Sequence, residues 1–176
     1  ANPTLEGIEY EFKVFDDPVA LKQAILEKNL KANKARMVAG YCWDGMSDSR
    51  KPANDPNKMD IDIPEYGFKA QWNLAKDESL WIMAPNSVHE VGCIHTCQGL
   101  ELDYIGVIVG DDLVVRDGEV ITDAGNRSKM DASIRGFKKL LKENPNAAKA
   151  KADMIIKNTY RTLMTRGQKG CYFFSV

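Results

Sequence analysis

The chain has no apolar run long enough to span a bilayer, and no signal-peptide pattern opens it. Those two absences predict a cytoplasmic protein with no membrane partner. A surplus of charge is also missing: 24 Lys and Arg stand against 25 Asp and Glu, a formal net charge of −1. A global basic field of the kind that marks many nucleic-acid binders is therefore excluded, and any such contact has to be local. Cysteine is scarce, and Cys42, Cys93, Cys97 and Cys171 sit in or beside apolar segments without a framework spacing. That usage reads as reduced, buried thiols. Nothing fits Gly-x-x-x-x-Gly-Lys-(Ser/Thr), so the chain has no phosphate-cradling loop of its own, and no apolar strand ends in Asp-Glu as a Mg²⁺ site. No internal repeat or domain boundary is evident, and 176 residues suit one domain with an ample core.

What is present alternates between strand and helix signals. Residues 8–15 switch cleanly between apolar and charged side chains, the mark of a strand with one buried face. Asp17-Pro18 supplies an N-cap and a first-turn proline, and Leu21, Ala24, Ile25 and Lys28 follow at helical spacing. Residues 36–43 form a second strand candidate. From Asp44 to Asp60 the composition turns to Gly, Ser, Asn, Asp, Pro and Lys, which predicts a mobile loop over about 44–60. Residues 68–73 fit either a short helix or an aromatic contact segment, and residues 80–84 form a short apolar element stopped by Pro85. Further on, Asp117-Gly118 between β-branched runs signals a hairpin. Asp131 is placed to cap a helix carrying Ile134, Phe137, Leu140 and Leu141. A strongly amphipathic helix then runs through Ala152, Ile155, Ile156, Thr159, Tyr160 and Leu163, with Cys171–Phe174 as a last strand.

Two stretches carry chemistry. In residues 92–110 a short apolar entry leads into a polar turn at Thr96–Glu101, and an apolar run from Leu102 to Val109 reads as a strand covered on both faces. Gly99 marks a tight turn or a close backbone approach. A polar cluster at the mouth of a buried strand is a usual place for ligands in open α/β sheets. The second stretch is the end of the amphipathic helix, where Arg166 can leave the packed face and offer a planar fork of donors to phosphate oxygens. Its structural alternative is a C-terminal cation favoured by the helix dipole.

The run His95-Thr96-Cys97-Gln98-Gly99-Leu100-Glu101-Leu102-Asp103-Tyr104 resembles motif V of superfamily 1 helicases. Asn158–Gly167, centred on Thr165-Arg166, resembles motif VI, although Arg161 stands where an aromatic is usual and Leu163 and Gly167 replace small neighbours. The wording around both is similar to the Schlafen-like DNA/RNA helicase domain family. This resemblance implies a RecA-like (P-loop NTPase-type) α/β fold, a largely parallel sheet with helices on both faces, in the place of the second helicase domain. It implies ATP and Mg²⁺ held mainly by an N-terminal RecA-like partner domain.

On that resemblance Arg166 is the catalytic arginine finger, Glu101 contacts the ribose, and Gly99 and Thr165 complete the nucleotide side. His95, Thr96 and Gln98, with the Gly99 backbone, face a single strand of DNA or RNA bound weakly by this domain alone. Hydroxyls, amides and N–H groups position phosphates without reading sequence. The competing reading is a non-catalytic nucleic-acid-binding or regulatory module, favoured if a basic residue lines up with Trp43 and Trp72 for base stacking. Cys93, His95 and Cys97 lack the paired spacing of a zinc site, so no metal is expected. His95 beside Cys97 lacks the geometry of a thiol nucleophile with its base.

Overall fold

The computed structural model describes residues 7, 9–43, 58–72, 78–84, 86–97, 99–129 and 131–176. Most of the expected 44–60 loop therefore lies outside the described residues; its end, from Lys58, leads into a strand. The elements are β1 (Glu11–Val14), α1 (Pro18–Ala32), β2 (Ala35–Ala39), β3 (Ile61–Ile63), β4 (Phe68–Trp72), β5 (Glu90–Gly92), β6 (Leu102–Val109), β7 (Leu113–Arg116), β8 (Glu119–Thr122), α2 (Phe137–Glu143), α3 (Pro145–Met164) and β9 (Gly167–Ser175). Seven strands form one sheet in the order β1-β9-β6-β2-β5-β4-β3, and β7 and β8 form a separate hairpin. Every pairing in the large sheet is parallel except β3 with β4 at one edge. Helices cover both faces, which is the RecA-like α/β layout expected.

Alternation along the central strands divides the core. Leu21 and Ile25 of α1 pack with Met37, Ala39, Ile108, Tyr172 and Phe174 on one face. Ile156, Tyr160 and Leu163 of α3 pack with Val38, Leu102, Ile105, Val107, Val109 and Cys171 on the other. Each fully buried Leu or Ile in these layers contributes about 1.5–3 kcal/mol. Gly106 lets α1 lie close to the sheet, since a Cβ there would stand 2.7 Å from an Ile25 side-chain carbon.

Local chemistry sets the helix ends. Asp17 caps α1 by accepting from the Val19 N–H at 2.7 Å, with Pro18 in the first turn. The helix stops at Asn33, in the left-handed region at φ 50, whose N–H donates to Asn29 O. Arg36 then ties that end to the sheet: it is 1% exposed and donates to Asn29, Asn33 and Ser87 side chains and to the Ala35 and Ile82 carbonyls.

Four details refine or differ from the sequence reading. Residues 68–72 are neither helix nor loose contact but β4, its Phe68, Ala70 and Trp72 buried in strict alternation. The short apolar element near Leu80 is a 3₁₀ turn over Glu78–Met83. Asp131 caps only a 3₁₀ turn (Ala132–Ile134), because Gly136 at φ +83 breaks the path before α2 begins. Asn144 does not simply end α2; its side chain accepts from the Ala147 N–H and starts α3.

The outer strand β1 is held through Glu11. Its carboxylate accepts from Lys28 Nζ at 2.6 Å, the Tyr104 hydroxyl at 3.0 Å and the Tyr172 hydroxyl at 2.6 Å. Lys28 also stands 4.1 Å from the Tyr104 ring centroid. The Lys28 hydrogen bond, then that of Tyr172, holds the Glu11 carboxyl at about 2, below the usual carboxylate range. The unfolded chain protonates Glu11 first as pH falls, so its contribution is complete above the usual range and is lost towards pH 2. Melting temperature followed through that acid window should fall more steeply for the wild type than for Glu11→Gln; parallel curves would show that this cluster does not anchor β1.

Candidate functional site

The turn and the helix end singled out in the sequence meet at the amino edge of the sheet. Strands β6 and β9 pair from Leu102 and Gly167 onward, and the Leu102 N–H donates to Arg166 O at 3.3 Å. That rung sets Glu101 and Arg166 next to each other, just outside the paired strands. Glu101 is exposed. Arg166 is half-buried, and its Nε donates to Thr162 O at 3.2 Å. Nη1 and Nη2 have no hydrogen-bond partner among the described residues, so the guanidinium shows an end-on pair of donors. Its charge reaches Cys97: burial and Cys93 push that thiol up to about 12, and Arg166 opposes them.

Thr165 is exposed but committed to the helix end. Its hydroxyl lies 2.9 Å from Arg161 O and 3.1 Å from Thr162 O, and its N–H also donates to Arg161 O. Gly99 sits at φ +78, where an added Cβ would meet nothing within 4 Å. Conformation, not crowding, requires glycine there.

His95 and Thr96 lie elsewhere. After β5 ends at Gly92, residues 93–97 form a turn, closed by the Cys97 N–H donating to Cys93 O at 3.1 Å. Thr96 fixes it: its hydroxyl donates to Cys93 O at 2.9 Å and accepts from the Cys93 N–H at 2.7 Å. With its proton used in this way, Thr96 shapes the turn. His95 is exposed, its ring centroid 6.2 Å from that of Tyr41, which follows the carboxyl end of β2. Gln98 lies outside the described residues. The segment therefore runs from the carboxyl edge at His95 to the amino edge at Glu101. The open-sheet rule that puts ligands at strand carboxyl ends applies to its first half, and Glu101 enters β6 at the opposite end.

Trp72 is 6% exposed and packs in the α1-side core, so it offers no stacking platform. Among the described residues no group of three His, Cys, Asp or Glu is placed to hold a metal ion. Cys93, His95 and Cys97 diverge: Cys93 is in the α1-side core, Cys97 in the α3-side core, and His95 is exposed. Among the described residues no helix is long and apolar enough to cross a membrane.

Sequence reasoning missed a buried polar group beyond the carboxyl end of β6. Tyr160 of α3 donates to Asp112 Oδ1 at 2.5 Å and accepts from the Gly110 N–H at 3.1 Å. Arg127 Nε stands 2.7 Å from Asp131 Oδ2 and 3.6 Å from Asp112 Oδ2, all three side chains almost wholly buried. Burial pushes the Asp112 carboxyl up, against the bonds from Cys42 and Tyr160 and the charge of Arg127. The one signal in the sequence was the pair Asp111-Asp112 directly after an apolar strand. Arg127 carried none, since one of its two partners, Asp112, lies fifteen residues earlier, across the β7–β8 hairpin.

The φ of Gly99 yields a test. Gly99→Ala should destabilise the domain by about 1–2 kcal/mol, the cost of a left-handed backbone with a Cβ, and Gly99→Asn by clearly less. Denaturant midpoints of the two variants decide it; a neutral or stabilising alanine would mean the turn does not need this conformation.

Comparison with known proteins agrees with this geometry. The family model described as Schlafen group 3, DNA/RNA helicase domain, matches residues 1–176. The uncharacterized protein YPL245W of Saccharomyces cerevisiae is 29% identical over 175 residues, covering 94% of this chain. The chain spans 34% of that protein's length. No solved structure matches this chain. With the two motif-bearing segments meeting on a parallel sheet and the match running over its whole length, the chain belongs to the Schlafen group 3 DNA/RNA helicase domain family.

Proposed function

We propose that this helicase-like domain is the second RecA-like half of a superfamily 1-type ATP-dependent helicase or nucleic-acid-dependent ATPase. The observation that carries the reading is the rung between Leu102 and Arg166, which brings Glu101 and an arginine with two unbonded terminal nitrogens to one exposed edge. A carboxylate there suits ribose hydroxyls. The end-on donors suit the oxygens of a transferring phosphoryl group, whose charge an arginine finger stabilises. Gly99 and Thr165 act through the backbone: one shapes the turn before Glu101, the other holds the helix end from which Arg166 projects.

The same edge fits half of an ATP site and no more. Asp103 there is paired with Lys169 at 2.9 Å; on this reading Mg²⁺ and the phosphate cradle would be supplied by the N-terminal RecA-like partner domain. Mg²⁺ would supply charge neutralisation on the phosphates; this chain's part is to orient the ribose and complete the charge around the γ-phosphoryl when the halves close. Closure and reopening across the cleft would move a DNA or RNA strand held at the opposite edge by His95 and the turn that Thr96 closes, with Gln98 as a further expected contact.

In the full-length protein, Arg166→Ala should lower steady-state ATP hydrolysis by roughly three to five orders of magnitude and weaken ATP binding much less. Arg166→Lys separates chemistry from folding. A lysine keeps a cation at the helix end, so the melting curve should stay near wild type, yet hydrolysis should not recover without the planar fork. Near-normal turnover in either variant would remove Arg166 from the reaction.

A further inference from the structure

A cavity of about 590 Å³ opens beyond the carboxyl ends of β2 and β6, within the size range of ligand sites. The chain leaves β2 towards β3–β5 on one side and leaves β6 through α3 towards β9 on the other. Adjacent strands whose connections diverge in this way form a switch point, where open α/β sheets bind ligands. Cys42 lines the cavity from the β2 side, Arg127, Lys129 and Arg135 line it from the segment between β8 and α2, and Lys138 lines it from the first turn of α2.

The charge on that lining is one-sided. Among the described residues Asp131 is its single carboxylate, and it is already spent: Oδ1 accepts from the Ser133 N–H and Oδ2 faces Arg127 Nε. Lys129, Arg135 and Lys138 are exposed, and among the described residues they have neither ion pair nor hydrogen bond. Arg127 is 5% exposed and its side chain is wholly covered, so its guanidinium lies beneath the cavity floor beside Asp131 and Asp112. Those two carboxylates balance its charge, so attraction for an anion comes from the three exposed cations.

The cavity adjoins the strand-facing turn. Tyr41, whose ring meets His95, accepts at its carbonyl from the Ser128 N–H at 2.8 Å. We propose that this cavity holds the phosphate backbone of the single strand, with Lys129, Arg135 and Lys138 as its donors to successive phosphates. The assignment rests on the nucleic-acid side of the function proposed above.

Anisotropy of a labelled single-stranded oligonucleotide with the full-length protein, taken over a salt series, tests it. The variant Lys129→Gln/Arg135→Gln/Lys138→Gln changes only exposed side chains and should fold normally. It should bind at least ten-fold more weakly at low salt, and its slope of log K against log salt should be shallower by about 2, the share of three phosphate contacts to a single strand. Inorganic phosphate at matched ionic strength should compete with the strand for the wild type and not for the variant. An unchanged slope in the variant overturns the cavity assignment while the wider reading stands. A wild type that binds no strand overturns both. Competition by phosphate without strand binding would make the cavity a small-anion site and likewise overturn the proposal.

Discussion

The pairing of β6 with β9 is the interaction on which the rest depends. β6 is buried from Ile105 to Val109, is flanked by β2 and β9, and feeds both the turn before it and the loop after it. Its register with β9, starting at Leu102 and Gly167, decides that the end of α3 arrives beside the end of the polar turn. A slip of one residue would turn Ile105 and Val107 towards α1 and Gly106 towards α3, exchanging the two core faces. Packing therefore fixes the register, and the register places Arg166.

Much of this was legible in the chain. Period-two and three-and-four spacings identified β1, α1, β2, β6, α3 and β9. The alternation in β1 does not mark the buried face expected of it: Phe12 and Val14 are 48% and 64% exposed, because β1 is an edge strand that no helix among the described residues covers on that side. The Asp17-Pro18 and Asp117-Gly118 signals act through local backbone chemistry, and both appear where the sequence places them. The motif resemblance singled out Glu101 and Arg166 as parts of one site, and the strand order does bring their segments together.

The rest depended on contacts that spacing cannot encode. β4 was ambiguous because five residues satisfy short strand and short helix patterns equally, and only the partner β5 decides. Residues 93–101 read as one ligand-facing loop, but the turn closed by Thr96 sends its two ends to opposite edges of the sheet. Thr96 and Thr165 are ligand contacts on the resemblance, and their hydroxyls also bond nearby carbonyls, a role that spacing does not reveal. The cluster of Arg127, Asp112, Asp131 and Tyr160 draws on three segments far apart in the chain.

The central claim is a division of labour: nucleotide at the amino edge and strand at the carboxyl edge. Hydrogen–deuterium exchange on the full-length protein, with a non-hydrolysable nucleotide or a single-stranded oligonucleotide added separately, reads both edges at once. Nucleotide should slow exchange in residues 99–104 and 162–168, while the strand should slow it in residues 93–97 and 126–138. Protection of the same segments by both ligands, or of the opposite segments by each, would contradict the account.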